Sequence, residues 1–309
     1  MSTAIADDGL HPTSTVPRLR VFLLLPFIGI HVGALLAPLS GFSWAALTTA
    51  LALYFVRMFA ITAFYHRYFS HRSFTTSRGM QFLMAVLGNS AAQRGPLWWA
   101  AHHRLHHRHS DTSADTHSPV TDSLWHSHIG WIVQPHNYAT NYAMVQDWCR
   151  YPELRWLDRH DYLAPLLLAA GCYGFGAGLA WWWPNSGTSG IQMLLWGFCL
   201  STTLCYHATF SINSLAHLWG TRPYATKDHS RNNALLALLT LGEGWHNNHH
   251  RFPASARQGF RWWEIDCSYY ALRGMALVGL VSKLRPVPQR ILAEPTASHG
   301  HALPGEKRS

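Results

Sequence analysis

The sequence has few charged residues and none of the common motifs for nucleotides, haem or iron–sulfur clusters. Charged residues make up 13% of its 309 residues, about half the share of roughly 25% that is usual in soluble domains. A glycine-rich nucleotide fingerprint, a haem-attachment motif and a four-cysteine cluster pattern are all missing. A redox enzyme with this sequence would therefore have to receive its electrons from a separate protein.

The cysteines and the basic residues exclude further classes of protein. The five cysteines form no C-x-x-C pair, and three lie in apolar stretches, where cysteine is usually a small buried hydrophobe. A disulfide framework is therefore not expected. The formal charge of +9 comes from dispersed residues without a basic run, which favours a membrane surface over nucleic acid as the partner. The first residues lack the basic-then-apolar order of a cleaved signal peptide.

Four apolar stretches are each long enough to cross a bilayer, which needs about 20 residues. The first of them has no charged residue, whereas a helix of a soluble protein normally shows a polar stripe. We therefore expect an all-α, multi-pass membrane protein with four transmembrane helices and a cytoplasmic helical cap. The four stretches are residues 21–40, 42–65, 163–183 and 191–213.

Basic residues are unequally distributed among the connections between these stretches. The turn at Ser40 and Gly41 and the loop 184–190 contain no Lys or Arg, whereas residues 66–162 contain nine arginines. By the positive-inside rule, both termini and the long central segment are cytoplasmic. We expect an N-terminal segment 1–20, one membrane domain 21–285, and a proline-containing, disordered tail 286–309.

Three histidine clusters lie on the side that this topology makes cytoplasmic. The first pairs His66 with His71, five residues apart and about 140° around an ideal helix. In the other two, histidines at i, i+3 and i+4 can converge from one helix face. Eight imidazoles exceed what one ion accepts, so two metal ions are expected, and imidazole suits zinc, copper, iron or nickel. The eight are His66, His71, His103, His106, His107, His246, His249 and His250.

The middle cluster allows a second assignment. His102, His106 and His109 also share a helix face, at i, i+4 and i+7. Spacing alone does not choose between that set and the one with His103 and His107. A metal transporter would place its ligands inside the apolar stretches, but only His31 and His207 lie there.

Five stretches between Tyr65 and Pro253 carry the remaining motifs: YHRYFSHRSF, HHRLHHRHSDTSADTHSP, SHIGWIV, NSLAHLWGTRPY and GEGWHNNHHRFP. In them the sequence resembles the membrane fatty acyl desaturases, specifically the Δ9 acyl-CoA type and its bacterial relatives. The resemblance implies two iron ions, with O2 as co-substrate, and the ligands His103, His106 and His107 in the middle cluster. It adds His217 as a ninth ligand and Asn213 as a ligand through a water.

The implied reaction introduces a cis double bond into a saturated acyl chain. The middle of such a chain has no acidic proton and no electrophilic carbon, so removing hydrogen there needs a strong oxidant. This requirement favours iron over zinc. The electrons would come from a donor such as ferredoxin, or cytochrome b5 with its reductase, docked on the basic cytoplasmic face. A membrane hydroxylase would use similar clusters and is the main alternative.

Neighbouring carboxylates should orient the imidazoles, because metal-binding histidines usually donate their other ring N–H to an acceptor. The acids nearest the clusters are Asp111, Asp115 and Glu243.

The acyl carrier is expected to be CoA first and a phospholipid second. Ala101 and His102 stand where relatives that use acyl-CoA have an Arg–Asp pair, so Arg57 and Arg94 are the candidate carrier contacts.

The second apolar stretch is expected to form the floor of the acyl tunnel. Thr62, Phe59 and Phe55 share the face of His66 on an ideal helix. The resemblance places a position that sets chain length near Tyr54.

Overall fold

Helices form nearly all the regular structure of residues 16–296, the part of the chain that the computed structural model describes, with side chains from residue 24. The one sheet in that part pairs Thr75–Thr76 (β1) with Val281–Ser282 (β2) in antiparallel register. The expectation of an all-α protein is confirmed in this broad sense. The α-helices are α1 (Val16–Leu36), α2 (Trp44–Phe59), α3 (Arg78–Asn89), α4 (Pro96–His109), α5 (Gln146–Cys149), α6 (Pro152–Arg159), α7 (Leu163–Trp182), α8 (Gly190–Met193), α9 (Ser201–Ser214), α10 (Ala234–Leu239), α11 (His246–Arg251), α12 (Cys267–Leu277) and α13 (Gln289–Leu292).

The four apolar stretches of the sequence are helical. The second continues from α2 without a break as a π-helix over Ala60–Ser70, and the fourth joins α8 to α9 through a π-helix over Leu194–Leu200. Trp44–Ser70 and Leu163–Trp182 are long and apolar enough to cross a membrane, and Leu24–Leu36 forms a shorter apolar helix. Large apolar side chains such as Leu167 (72% exposed) point outward, which favours a lipid environment.

Arg57 fixes α2 against the fourth helical stretch. Its side chain is 1% exposed and donates hydrogen bonds to Thr202 Oγ1 (2.6 Å) and Ser201 Oγ, and to the carbonyl of Leu53 (3.1 Å). A charge within an apolar helix is costly unless polar groups surround it. These contacts supply such groups and lock the two helices together.

The π-helix Ala60–Ser70 is the centre of the core, and every residue in it is buried. It packs against α3 and α4. A Cβ atom at Gly88 of α3 would overlap the ring of Tyr65, so the close crossing of these helices requires glycine there. The contact with α3 therefore fixes the orientation of the π-helix.

The expectation of a disordered tail from residue 286 is wrong for residues 286–296. There α13 packs against the cap, with Ile291 only 2% exposed in an apolar cluster with Tyr224 and Phe260. Arg251 also donates a hydrogen bond from Nε to Glu294 (2.7 Å). One buried apolar side chain and one ion pair thus fix a proline-containing segment. The expectations for residues 1–15 and 297–309 lie outside the described residues.

Candidate metal centre

The π-helix places His66 and His71 side by side. In a π-helix the backbone hydrogen bonds join residues five apart, and the N–H of His71 donates to the carbonyl of His66 (3.3 Å). The two rings consequently lie 4.9 Å apart, centroid to centroid. The separation of about 140° expected from an ideal α-helix is wrong, because the helix changes its hydrogen-bonding pattern before it reaches these residues.

The histidine cluster on α4 is divided between two groups of rings. We call the first histidine group His66, His71, His103, His107 and His249, and the second histidine group His106, His217, His246 and His250. In each group, one nitrogen of every ring lies within 4.8 Å of those of the others. The expectation that each three-histidine cluster converges on one point is therefore wrong.

The physical reason is the spacing itself. Residues i and i+4 lie about 40° apart around a helix, whereas i+3 lies about 100° from i+4. His103 and His107 thus point into the first histidine group, and His106 points into the second. On α11 the same spacing sends His246 and His250 into the second group and His249 into the first. Each helix contributes to both groups.

The Nε2 atoms of the first histidine group converge. His66 and His249 have these atoms 2.9 Å apart, and His71 and His103 have them 2.8 Å apart. In the second group, the Nε2 atoms of His217 and His246 are 3.0 Å apart. The two groups adjoin, since the rings of His107 and His250 lie 4.4 Å apart.

Carboxylates that the sequence analysis named contact the opposite nitrogen of three of these rings. The Nδ1–H of His106 donates to Asp115 (3.0 Å), and that of His217 donates to Asp111 (2.9 Å). His66 Nδ1 forms an ion-pair contact with Glu243. The structure therefore brings the three acids expected from the sequence to imidazoles of these groups.

Two partners were missed by the sequence analysis. The Nδ1–H of His250 donates to Asp228 (2.7 Å), which is 22 residues away along the chain. The side-chain amide of Gln258 lies 3.2 Å from His66 Nδ1 and 3.5 Å from His249 Nδ1. Both residues lie outside the motifs quoted from the sequence, so those motifs offered no signal for them.

The electrostatics of the site favour neutral rings and ionised acids. Burial and the neighbouring imidazoles lower the pKa of His71, His103, His107, His246 and His249 well below the usual range. Burial also lowers the pKa of His250 to about 4, against the opposing effect of Asp228. For Asp111, Asp115 and Asp228, burial raises the pKa, but the histidine contacts outweigh it and the pKa is lowered.

These groups fit divalent metal ions. A histidine binds metal in its neutral form, and an acceptor on Nδ1 leaves the lone pair of Nε2 free for the metal. His250 Nε2 is buried and has no hydrogen-bond partner among the described residues. Nε2 atoms of neighbouring rings face one another at hydrogen-bond distance, and a neutral ring whose Nδ1–H is held by a carboxylate can only accept at Nε2. Metal ions would satisfy them.

The competing candidates of the middle cluster lie apart from both histidine groups. The Nδ1 atom of His102 lies 3.0 Å from the carbonyl oxygen of Trp98, and the His102 ring packs against the indole of Trp98. Neither His102 nor His109 belongs to the groups. His117, which the sequence analysis did not single out, stacks on His106 and lies near Asp115.

Asn213 faces a small cavity beside the first histidine group. The cavity has a volume of about 30 Å³ and is also lined by His103, Gln93, Thr209 and Ile132. A cavity of this size, with the polar side chains of Gln93, Thr209 and Asn213 in its wall, can hold one water molecule.

The intramembrane candidates His31 and His207 belong to a different contact. His31 Nε2 lies 3.3 Å from His207 Nε2, and His207 Nδ1 lies 3.0 Å from His128 Nε2. His128 comes from the SHIGWIV motif. These three rings connect α1 and α9 to the short π-helix His126–Gly130.

Two of the candidate substrate contacts are misplaced for that role. Arg57 is fully buried between helices. The prediction that it contacts a hydrated acyl carrier is therefore wrong. Phe55 is 49% exposed on the outer surface, so it is wrong as a tunnel floor. Phe55 was placed on the face of His66 by ideal α-helix geometry, and the π-helix between the two residues shifts that face.

The other candidates keep plausible positions. Tyr54 donates its hydroxyl to the carbonyl of Leu239 (2.6 Å), and Phe59 makes an edge-to-face contact with Phe64. Arg94 lines a second cavity, together with residues of α1, α7 and α9. Their roles towards a substrate stay predictions.

Residues 42–276 match the family model described as "Fatty acid desaturase". The chain is 35% identical over 309 residues to an acyl-CoA C20 Delta5-desaturase of Anemone leveillei, with 94% of each chain covered. It is 36% identical to an sn-1 stearoyl-lipid 9-desaturase of Anabaena variabilis, with 88% of this chain and 96% of the relative covered. It is also 36% identical to the Delta-9 acyl-lipid desaturase 1 of Arabidopsis thaliana, with 87% and 84% covered.

Proposed function

This chain belongs to the fatty acid desaturase family of lipid-metabolising oxidoreductases, and we propose that it forms a cis double bond at the Δ9 position of saturated acyl chains. The reaction takes one hydrogen from each of two adjacent methylene groups. With O2, two electrons and two protons, it yields the alkene and two molecules of water. The observation that carries this proposal is the pair of adjoining histidine groups.

The nine histidines would hold two iron ions that alternate between Fe²⁺ and Fe³⁺, one in each histidine group. When bound, such a pair supplies the oxidising power that unactivated methylene groups require. Zinc fits imidazole equally well, but it has no redox chemistry. Asp111, Asp115, Asp228 and Glu243 would keep the rings in the tautomer that presents Nε2.

Asn213 would act on the first of these ions through one water. The small cavity that it shares with His103 supports this assignment, since it has room for a single water. Trp99 and Trp131 also line this cavity, and their rings would keep further water away from the reacting carbons.

The electrons would come from a separate protein, such as a ferredoxin, or cytochrome b5 with its reductase. Basic residues with exposed side chains support a donor with an acidic surface. Arg150, Arg155 and Lys227 are of this kind.

The membrane topology is also part of the proposal. We propose that residues 21–285 form one domain that crosses the bilayer four times, with both termini and the metal centre on the cytoplasmic side. The four helical stretches and the nine arginines between residues 66 and 162 support it.

Two acyl carriers are candidates. The relatives include proteins named for acyl-CoA and proteins named for acyl-lipid substrates. Acyl-CoA is the carrier that the resemblance to the Δ9 acyl-CoA type implies, and a membrane lipid is the other.

The test is expression in a host that lacks its own desaturase, followed by mass spectrometry of total fatty acids. Wild type should produce acyl chains that have lost two hydrogens, and His107→Ala should not. His109→Ala is the matched control and should remain active, since His109 belongs to neither group. Chains that have gained an oxygen instead would show a hydroxylase. An unchanged lipid profile in a host with a competent donor would refute the proposal.

A further inference from the structure

A large cavity lies between α1, α7 and the fourth helical stretch. Its volume is about 530 Å³, which is within the range of roughly 300–1,000 Å³ for small-molecule sites. Both α1 and α7 pack against the π-helix Leu194–Leu200, and this segment forms the floor. We call the cavity the lateral groove, and its apolar lining includes Phe27, Ile30, Leu166, Ala169, Leu194 and Phe198.

The lateral groove is open on the side between α1 and α7. Leu166 lines it and is nevertheless 61% exposed, and Pro26 and Gly29 on the opposite wall are exposed as well. Both helices belong to the spans of the proposed topology, so this opening faces lipid. An acyl chain that enters from the bilayer passes from one apolar environment to another, so its surface is never exposed to water.

The inner end of the lateral groove adjoins the metal centre. Ile132 lines both the groove and the small cavity that contains His103 and Asn213. The walls are held in place from both sides: His31 contacts His207 across α1 and α9, and Tyr206 donates its hydroxyl to the carbonyl of Ala92 (2.8 Å). The groove therefore meets the wall of the small cavity beside the first histidine group at Ile132.

Among the residues whose side chains the structure describes, Arg94 is the one basic residue that lines the groove, and it forms an ion pair with Asp161 (3.4 Å). The polar rim that these described residues form therefore has no free cation. The guanidinium also lies over the ring of Tyr138 (4.3 Å) and donates to the Tyr138 carbonyl (3.1 Å). A CoA carrier has several phosphates and would need unpaired basic residues to bind them. Asp161 would instead repel them, whereas an uncharged ester suits this rim.

We infer that the lateral groove admits the acyl chain of a membrane glycerolipid from the bilayer, with its ester group at the Arg94–Tyr138 rim. The substrate is then a lipid-bound acyl chain and not acyl-CoA. This inference rests on the proposed desaturase function and identifies the substrate class of the same site. It reverses the carrier order expected from the sequence, because the groove and its paired arginine are not visible in sequence motifs.

The experiment uses the full-length, iron-loaded protein in liposomes, with a reduced ferredoxin system as donor. Phosphatidylcholine with isotope-labelled stearoyl chains is present in the bilayer, or stearoyl-CoA is added from the water. Double bonds should form in the labelled lipid without any CoA. Leu166→Trp should lower this turnover at least about tenfold by filling the groove, equivalent to about 1.4 kcal/mol.

Leu167→Trp is the matched control. Leu167 is the next residue of α7 and is also exposed, but it does not line the groove, so this variant should turn over the lipid normally. Equal activity of the two variants would show that the groove is not the route. Turnover of stearoyl-CoA but not of the lipid would overturn the inference and leave the desaturase function intact.

A binding measurement separates the inference from the function. A phosphatidylcholine with a photoreactive acyl chain should label peptides of α1 and α7 in wild type and in Leu167→Trp, and much less in Leu166→Trp. This readout does not depend on turnover. If neither substrate reacts, the proposed function fails, and the labelling alone still decides whether a lipid occupies the groove. Labelling that is the same in both variants would refute the inference.

Discussion

We predict that Asp228 strengthens metal binding indirectly, through its hydrogen bond to His250. Its carboxylate is 10% exposed, accepts the Nδ1–H of His250 (2.7 Å) and also accepts the backbone N–H of Ser230 (3.0 Å). Arg222 donates to the backbone carbonyls of Asp228 (2.7 Å) and Thr226 (3.4 Å), and Asp228→Asn keeps both of these acceptors. Asp228→Asn therefore removes mainly the negative charge behind one imidazole.

The expected loss follows from what such partners contribute elsewhere. Removing an acceptor behind a metal-binding histidine costs about 10- to 100-fold in metal affinity or activity, which corresponds to about 1.4–2.7 kcal/mol. The amide is a weaker acceptor than the carboxylate, and its N–H₂ group cannot accept the Nδ1–H at all. We expect the second histidine group to lose iron to a competing chelator at a concentration about 10- to 100-fold lower than in wild type.

The assay is chelator competition on the purified, iron-loaded protein, with acyl turnover as a second readout. Asp122→Asn is the control, because Asp122 is exposed and its side chain contacts only Thr121 (3.3 Å) among the described residues. If Asp228→Asn retains iron as tightly as Asp122→Asn, the carboxylates do not support the metal centre. The reasoning from Nδ1 contacts would then be refuted.

Three further predictions concern stability, topology and ligand choice. Asp147 accepts hydrogen bonds from Arg72, which follows the π-helix, and from Arg104 of α4. Burial raises the pKa of Asp147, but the two arginines outweigh it and the pKa is lowered, so Asp147→Asn should cost about 1 kcal/mol of unfolding free energy. Because that pKa is depressed, the difference should be complete above pH ~4 and disappear on further acidification. In a cysteine-free background, a reagent outside intact cells should label Ser186→Cys but not Ser113→Cys, and the reverse would refute the topology. His103→Ala should abolish turnover while His102→Ala is milder, and a dead His102→Ala beside an active His103→Ala would reverse the ligand assignment.

The sequence predicted the histidines of the site better than their arrangement. The positions of His66, His71 and the two i, i+3, i+4 clusters follow directly from the printed residues. Their distribution over two groups depends on the 100° step between i+3 and i+4, and on a π-helix that begins at Ala60. A π-helix differs from an α-helix by one hydrogen-bond register, and no residue type in Ala60–Ser70 marks that change.

Long-range contacts explain what the sequence did not predict. Asp228 and Gln258 reach the imidazoles through folded loops, so their distance in the sequence gave no signal. The role of Arg57 depended on Ser201 and Thr202, about 145 residues away. The helix α13 forms because Ile291 meets a cluster from the earlier chain. By contrast, the apolar stretches predicted their helices well, because a long apolar run is a local property.

The measurement that tests the central claim most directly is oxygen consumption by the purified protein in liposomes, followed together with double-bond formation. The iron-loaded chain should hold two iron ions and consume one O2 for each double bond formed. The zinc-loaded chain should neither consume O2 nor form double bonds. Double bonds formed without oxygen, or by the zinc-loaded chain at the same rate, would contradict an iron pair held by the two histidine groups.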